Sequence, residues 1–215
     1  MAQSAGTLAI DTASPAGAVA LACADRVIEE TLPRDRRASE ELLAAVRRCL
    51  DRGGLSLAGV TRLAVCSGPG SFTGIRVGLA TAWGLSRAAG MPVETVPTLE
   101  AMAEAARGLG AGPAWTALDA GRGEVVCQAF DVGGPRAEPI ACSVRIPGHR
   151  LADTVRGGFV VALPRDLAGP AAPDLPRTPA HALALAAARA PRAPGAGFAP
   201  IYSRPSAAEE RRGPA

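Results

Sequence analysis

One short segment dictates how the first half of this chain must fold, because it joins a strand to a long helix through a tight turn. The apolar run at residues 62–66 predicts the strand, and Gly68-Pro69-Gly70 predicts the turn. Ser71 is a favourable helix N-cap residue, and the helix predicted after it covers residues 72–89 and ends at Gly90. The sequence therefore predicts a strand–turn–helix unit at this point.

Small residues recur at every fourth position along one face of this predicted helix. Gly74, Gly78 and Ala82 leave a groove almost without side chains, although a glycine inside a helix costs about 0.8–1 kcal/mol relative to alanine. Small residues at this spacing let two helices approach closely, so a helix of a partner is the expected occupant of the groove. The alternative is that the groove receives an element of the same lobe. A Gly78→Leu substitution would then overpack the core at a cost of about 1–3 kcal/mol.

Composition excludes several classes of protein. The 215 residues are 48% hydrophobic, which is enough for one domain or two small ones. All 23 basic residues other than histidine are arginine, so the lysines of P-loops, Schiff-base enzymes and protein kinases are absent. A net charge of +3, dispersed along the chain, does not indicate a protein that binds nucleic acid on its own.

The cysteines and the hydropathy pattern predict a soluble, cytoplasmic protein. No two cysteines have C-x-x-C spacing, and three lie in apolar runs predicted to be strands, which favours buried, reduced thiols. No run approaches the roughly 18 apolar residues of a membrane span, and the first residues lack the pattern of a signal peptide. The five cysteines are Cys23, Cys49, Cys66, Cys127 and Cys142.

The order of the predicted elements divides the chain into two lobes. Residues 1–109 are predicted to form a complete lobe, in which a three-stranded meander precedes alternating helices and strands. A Gly-rich joint at residues 108–113 ends it, and residues 110–215 form an abbreviated second lobe and a tail. The order predicts an α/β fold with mixed sheets covered by helices. Predicted strands cover residues 7–12, 18–24, 27–32, 62–66, 93–96, 114–118, 124–130, 140–146 and 158–163, predicted helices cover 39–52, 72–89, 98–107 and 181–189, and an ordered loop covers 164–179.

Both lobes open with a strand that ends in an aspartate and then turns into a hairpin. This arrangement resembles the actin-like ATPase fold, in which two such hairpins face each other across a cleft and hold nucleotide phosphates and Mg²⁺. The matching positions are Asp11, Thr12 and Ser14 in the first lobe and Asp119 and Gly123 in the second. The alternative is that each acid caps its own turn through a local hydrogen bond, as Asp often does.

Four segments of the first 130 residues together resemble one bacterial family. They are LAIDT at residues 8–12, SGPGSFTGIRVGLAT at 67–81, GMPVETVPTLEA at 90–101 and ALDAGRGEV at 117–125, with a weaker return as IYSRP at 201–205. The chain is similar in these segments to the TsaB family, also called YeaZ. The resemblance implies an actin-like fold and a part in making N6-threonylcarbamoyladenosine at position 37 of tRNAs that read ANN codons.

The resemblance also implies how such a protein would work. TsaB is not the transferase; it binds the catalytic paralogue TsaD, with TsaE as an ATPase partner, and it can form a homodimer through the same helices of the first lobe. We therefore expect no tightly bound cofactor, with ATP or ADP confined to an interface of the assembled complex, and tRNA contact only through that complex. The predicted partner surface comprises Leu42, Leu43, Val46, Ser71, Phe72, Thr73, Gly74, Arg76, Gly78 and Ala82.

Two other functions are alternatives to the accessory role. An autonomous actin-like ATPase or kinase rests on the paired hairpins. A glycoprotease-type metallopeptidase would need about three protein ligands for its metal, whereas His149 and His181 are far apart and belong to no H-x-x-x-H pattern. A serine hydrolase is disfavoured because no G-x-S-x-G motif occurs, and Ser71 is expected to cap a helix.

Overall fold

The computed structural model describes residues 5–33, 38–168, 173–189 and 199–203. Residues 169–172 of the predicted loop at 164–179 lie outside these ranges, as do the last two residues of the IYSRP segment. No helix within these ranges is long and apolar enough to cross a membrane.

The first sheet has five strands in the order β3-β2-β1-β4-β5. Strands β1, β2 and β3 form the predicted antiparallel meander, while β4 and β5 run parallel to β1. Every residue of β1 and β2 is buried, because helices cover the sheet on both faces. The strands are β1 (Gly6–Asp11), β2 (Ala18–Cys23), β3 (Arg26–Thr31), β4 (Val60–Cys66) and β5 (Val93–Val96).

Two helices, α1 (Ala38–Gly53) and α2 (Phe72–Ala89), cover one face of this sheet and touch each other. The predicted start and end of α2 are confirmed. The Ser71 hydroxyl accepts a hydrogen bond from the Gly74 N–H at 3.2 Å, and Gly90 adopts a left-handed φ of 67° just beyond the last turn.

The second sheet repeats the plan of the first in smaller form. The hairpin of β6 and β7 is antiparallel, and β10 runs parallel to β6 on its other side. One strand predicted at 140–146 is replaced by two short ones, β8 and β9, which both pair with β7. The strands are β6 (Ala114–Gly121), β7 (Glu124–Asp131), β8 (Glu138–Pro139), β9 (Val144–Pro147) and β10 (Phe159–Leu163).

The remaining helices are α3 (Thr98–Ala105), the single turn α4 (Leu151–Thr154) and α5 (Pro179–Arg189). Helix α3 packs on the second sheet, where Leu99 and Met102 meet Phe130. Helix α5 belongs to the second half of the chain but packs on the first sheet, across from α1 and α2. The predicted division at residues 109 and 110 therefore separates the two sheets but does not separate the helices that cover them.

A buried ionic cluster lies where the two lobes meet. Arg136, between β7 and β8, places Nη1 2.7 Å from Glu94 Oε1 on β5. Two carboxylates of α3 lie farther from the same guanidinium, Glu100 at 3.8 Å and Glu104 at 3.9 Å. All four side chains are less than 10% exposed, so one guanidinium and three carboxyl groups lie together in a medium that solvates charges poorly.

Candidate functional site

A cleft of about 1150 Å³ opens between the two lobes. Its walls are the loop after β1, the start of α1 and the first turns of α2 on one side, and the ends of β6 and β10 on the other. The ends of parallel strands and the loops after them converge here, as in other open α/β sheets. The lining residues are Thr12, Ala13, Ser14, Pro15, Gly17, Leu32, Pro33, Glu40, Gly70, Ser71, Thr73, Gly74, Val77, Leu118, Asp119 and Pro164.

Asp11, the first predicted cleft acid, does not line this cleft. It is completely buried, and its Oδ1 accepts hydrogen bonds from the N–H groups of Ala13 at 2.9 Å and Ser14 at 3.0 Å. The Ser14 hydroxyl donates to Oδ2. Burial raises the pKa of Asp11, although these hydrogen bonds act in the opposite direction. The prediction that Asp11 is a cleft residue is therefore wrong, and Asp11 instead caps the β1–β2 turn through local hydrogen bonds.

The other four predicted cleft residues divide between lining and turn roles. Thr12, Ser14 and Asp119 line the cleft, and Asp119 also caps its own turn by accepting a hydrogen bond from the Gly121 N–H at 2.7 Å. Gly123 stays in the hairpin turn with a φ of 74° and is not part of the lining. The structure thus brings Thr12 and Ser14 of one hairpin and Asp119 of the other to the same cleft, while the Thr12 and Ser14 hydroxyls donate hydrogen bonds within the first lobe.

The groove on α2 is filled by the protein's own β1–β2 turn. A Cβ atom on Gly74 would lie 1.9 Å from the carbonyl oxygen of Thr12, and one on Gly78 would lie 2.3 Å from its hydroxyl. The Thr12 hydroxyl also donates to the Gly74 carbonyl at 2.6 Å. Ala82, the third small residue, is buried in the same core. The expectation that a partner helix occupies the groove is therefore wrong, because no space remains there.

Several residues predicted for the partner surface lie elsewhere in the molecule. Leu42 and Val46 are buried in the core under α1, so they cannot reach a partner. Ser71, Thr73 and Gly74 line the cleft and are not on a partner surface. The sequence contained a signal for this position, because the turn between a strand and the N-terminus of the next helix lies at the edge of the sheet where ligands bind.

Each of the two first-lobe helices exposes one large apolar side chain. Leu43 of α1 is 61% exposed and Trp83 of α2 is 56% exposed. The sequence identified Leu43, but it missed Trp83. The hydrophobic pattern of the helix could have identified Trp83, because this large aromatic residue lies outside the face that the sequence predicts to be buried.

Two further predicted surface residues are already in contact with the C-terminal part of the chain. The Arg76 guanidinium lies over the Phe72 ring, 3.8 Å from its centroid. The Tyr202 ring packs 4.8 Å from that of Phe72, and Arg76 Nε donates to its hydroxyl at 3.0 Å.

Neither histidine belongs to a metal site in the part of the chain that the structure describes. No group of three His, Cys, Asp or Glu side chains in those ranges is placed to hold a metal ion. His181 lies in the first turn of α5, and its Nδ1 lies 3.1 Å from Glu29 Oε2, while His149 is in an exposed turn.

Comparisons with known proteins agree on one relationship. The family model for TsaD, tRNA N6-adenosine threonylcarbamoyltransferase, matches residues 31–152. The chain is 42% identical over 122 residues to the tRNA threonylcarbamoyladenosine biosynthesis protein TsaB of Escherichia coli, covering 55% of this chain and 52% of that protein. The same protein of Haemophilus influenzae is 39% identical over 99 residues, covering 46% and 42%. The alignments thus span about half the length of these curated relatives.

Structural similarity extends over nearly the whole molecule. YeaZ from Pseudomonas aeruginosa matches with a TM-score of 0.75 and 27% sequence identity, covering 92% of this chain and 99% of that one. Two mixed sheets that each begin with a hairpin confirm the predicted actin-like α/β fold. Because the family model covers more than half of the chain and the fold agrees along its length, the chain belongs to the TsaB/YeaZ family.

Proposed function

We propose that this chain takes part in the biosynthesis of threonylcarbamoyladenosine in tRNA as a non-catalytic subunit that binds and activates the transferase TsaD. The names of its relatives supply the pathway. The observation that carries the proposed role is the exposure of two large apolar side chains, Leu43 on α1 and Trp83 on α2, on two helices that contact each other. Tryptophan is enriched among the residues that dominate binding energy at protein interfaces.

The state of the cleft supports a non-catalytic role. Both oxygens of the Asp11 carboxylate accept hydrogen bonds within the β1–β2 turn, and the group is completely buried. A general base must reach the proton that it removes. The Asp11 carboxylate is buried away from the cleft, where it contacts its own turn and the buried thiol of Cys66. Asp11 is therefore not available in the cleft to bind a metal ion or a nucleotide phosphate, which is the role that the resemblance to actin-like ATPases implies for it.

The test compares charge substitutions at one exposed apolar residue of each lobe. Trp83→Glu should weaken complex formation with TsaD and TsaE at least tenfold and abolish t6A formation in a reconstituted assay, because it places an unpaired charge in the contact. Ile140→Glu is the matched control, since Ile140 is 58% exposed on the second lobe. Its affinity and activity should equal those of the unmodified chain, and both variants should melt normally.

Retention of TsaD binding by both Trp83→Glu and Leu43→Glu would overturn the proposed surface. Loss of binding in Ile140→Glu together with Trp83→Glu would show that the contact is not confined to α1 and α2.

Sedimentation of the chain alone tests in the same way whether the chain forms a homodimer. If the same surface is used, Trp83→Glu should be monomeric, and adding TsaD to the unmodified chain should dissociate any dimer.

The cleft also bears on nucleotide and tRNA binding. We propose that the isolated chain binds ATP weakly and that tRNA binds only to the assembled complex, with TsaE supplying the ATPase activity. Calorimetry with Mg·ATP and salt-dependent tRNA binding measure both properties directly. Micromolar affinity for Mg·ATP with turnover by the chain alone would instead favour an autonomous ATPase or kinase, which the hydroxyl-lined cleft of about 1150 Å³ is large enough to serve.

A further inference from the structure

Residues 199–203, here called the strap, contact both lobes. In the first lobe the Ile201 N–H donates to the carbonyl of Ser67, directly after β4, at 2.7 Å. In the second lobe Arg145 of β9 donates from Nη1 to the Ser203 carbonyl at 3.0 Å. The strap therefore joins the two lobes at a place far in sequence from the joint between them.

Tyr202 anchors the strap on the first turn of α2. Its ring packs against Phe72, and its hydroxyl accepts a hydrogen bond from Arg76, whose guanidinium covers the other aromatic ring. Phe72 and Arg76 are one helical turn apart, so their side chains form a bracket on one face of α2. Aromatic stacking and cation–π attraction both hold the Tyr202 side chain at this position.

The backbone of the first lobe is shaped to receive the strap. Gly68 has a φ of 101°, and a Cβ atom there would lie 2.1 Å from the carbonyl oxygen of Ile201. Only glycine permits both this conformation and this close approach. The strap is thus seated by the backbone as well as by the Phe72–Arg76 bracket.

The same helical turn faces the cleft on its other side. Ser71 and Thr73 line the cleft, while Phe72 and Arg76 hold Tyr202. Because these residues belong to one hydrogen-bonded turn, a displacement at the bracket must also displace the cleft wall.

We propose that the strap, held by the Phe72–Arg76 bracket and by Arg145, fixes the relative position of the two lobes around the cleft. Release of Tyr202 lets the lobes move apart and loosens the first turn of α2. This inference is independent of the proposed function, since it concerns the isolated chain and requires neither TsaD nor tRNA.

The experiment measures a distance between the lobes in the full-length protein. Cys142 is exposed on the second lobe, whereas Cys23, Cys49, Cys66 and Cys127 are buried, so one added cysteine on the first lobe completes a pair for spin labels. Ala58→Cys supplies it at an exposed position before β4. In the Ala58→Cys protein labelled at residues 58 and 142, pulsed electron–electron double resonance should give one narrow distribution of the distance between the two spin labels.

The double substitution Tyr202→Ala and Arg145→Ala should broaden that distribution and add longer distances. It should also raise the rate of amide hydrogen exchange in the strap and in residues 67–76 by about tenfold.

Ser203→Ala is the matched control, because Arg145 donates its hydrogen bond to the Ser203 backbone carbonyl, which this change retains. An unchanged distribution in the double variant overturns the proposal, whether the strap remains protected from exchange or not. A distribution that broadens equally in Ser203→Ala also overturns it. Tyr202→Phe, which keeps the ring stack, serves as the milder variant if the double one melts early.

Discussion

Arg136 Nη1 lies 2.7 Å from Glu94 Oε1, and both side chains are buried between the two lobes. Glu100 and Glu104 share the same guanidinium, so one arginine from the second lobe is set among three carboxylates carried by β5 and α3. Burying charges costs several kcal/mol per ion unless they compensate one another. The cluster therefore makes the contact between the lobes strongly dependent on Arg136.

Arg136→Met should lower the free energy of unfolding by about 3–5 kcal/mol, because it leaves buried carboxylates without this guanidinium. Urea unfolding measures the change. Arg47→Met is the control, since the Arg47 side chain is 84% exposed and pairs only loosely with Asp51 at 3.6 Å. It should cost less than about 1 kcal/mol. Equal losses in the two variants would contradict a stabilising role for the cluster.

Two alanine substitutions in α2 should change stability in opposite directions. Gly74→Ala places a methyl group 1.9 Å from the Thr12 carbonyl oxygen, so the β1–β2 turn or the helix must shift, at a cost of about 1–3 kcal/mol or more. Gly84→Ala meets no atom within 4 Å and should stabilise the helix by about 0.5–1 kcal/mol. Thermal melts of the two variants check both signs. A Gly74→Ala variant as stable as the unmodified chain would contradict the prediction, because the β1–β2 turn would then move to accommodate the methyl group without a loss of stability.

Asp11→Asn should change how stability depends on pH. Burial raises the pKa of Asp11 above its ordinary value of 3.8, so between that value and the folded pKa the folded protein binds more protons than the unfolded chain. The free energy of unfolding from this group is therefore greatest below the ordinary pKa and falls as the pH rises through the folded pKa, by at most about 1.4 kcal/mol per pH unit. Asparagine does not titrate, so the variant lacks this decline.

Urea unfolding of both proteins from about pH 3.5 to pH 7 measures the difference. The stability of the Asp11→Asn variant relative to the unmodified chain should rise with pH across the window. Parallel curves for the Asp11→Asn variant and the unmodified chain would show that the carboxylate is ionised equally in both states.

Thiol labelling should reveal one fast cysteine in the folded protein. Cys142 is exposed, while the other four are buried, and desolvation raises the pKa of Cys49 to about 12 and that of Cys66 well above its usual value. Thiolates are the reactive species, so the buried thiols should react only as the protein unfolds. Cys142→Ser should remove the fast phase completely. A second fast thiol would indicate an opening of the core on the labelling timescale.

The sequence alone determined the local structure of the first lobe to within a few residues. The N-cap Ser71, the terminal Gly90 and the apolar run before Gly68 act through their own backbone neighbours, so they predict α2 and β4 without knowledge of the rest of the chain. The repeat of strand, aspartate and hairpin likewise predicted two related sheets, because hairpin formation depends on local turn residues.

Only the tertiary structure decided what each face of these elements touches. The spacing of Gly74, Gly78 and Ala82 shows that one side of α2 is small, but a partner helix and the protein's own β1–β2 turn would both require that. The same limit applies to α5, whose alanines pack on the first sheet although the helix follows the second sheet in sequence. Periodicity reports which side chains share a face, whereas the occupant of that face is set by contacts between residues distant in sequence, which a local pattern does not encode.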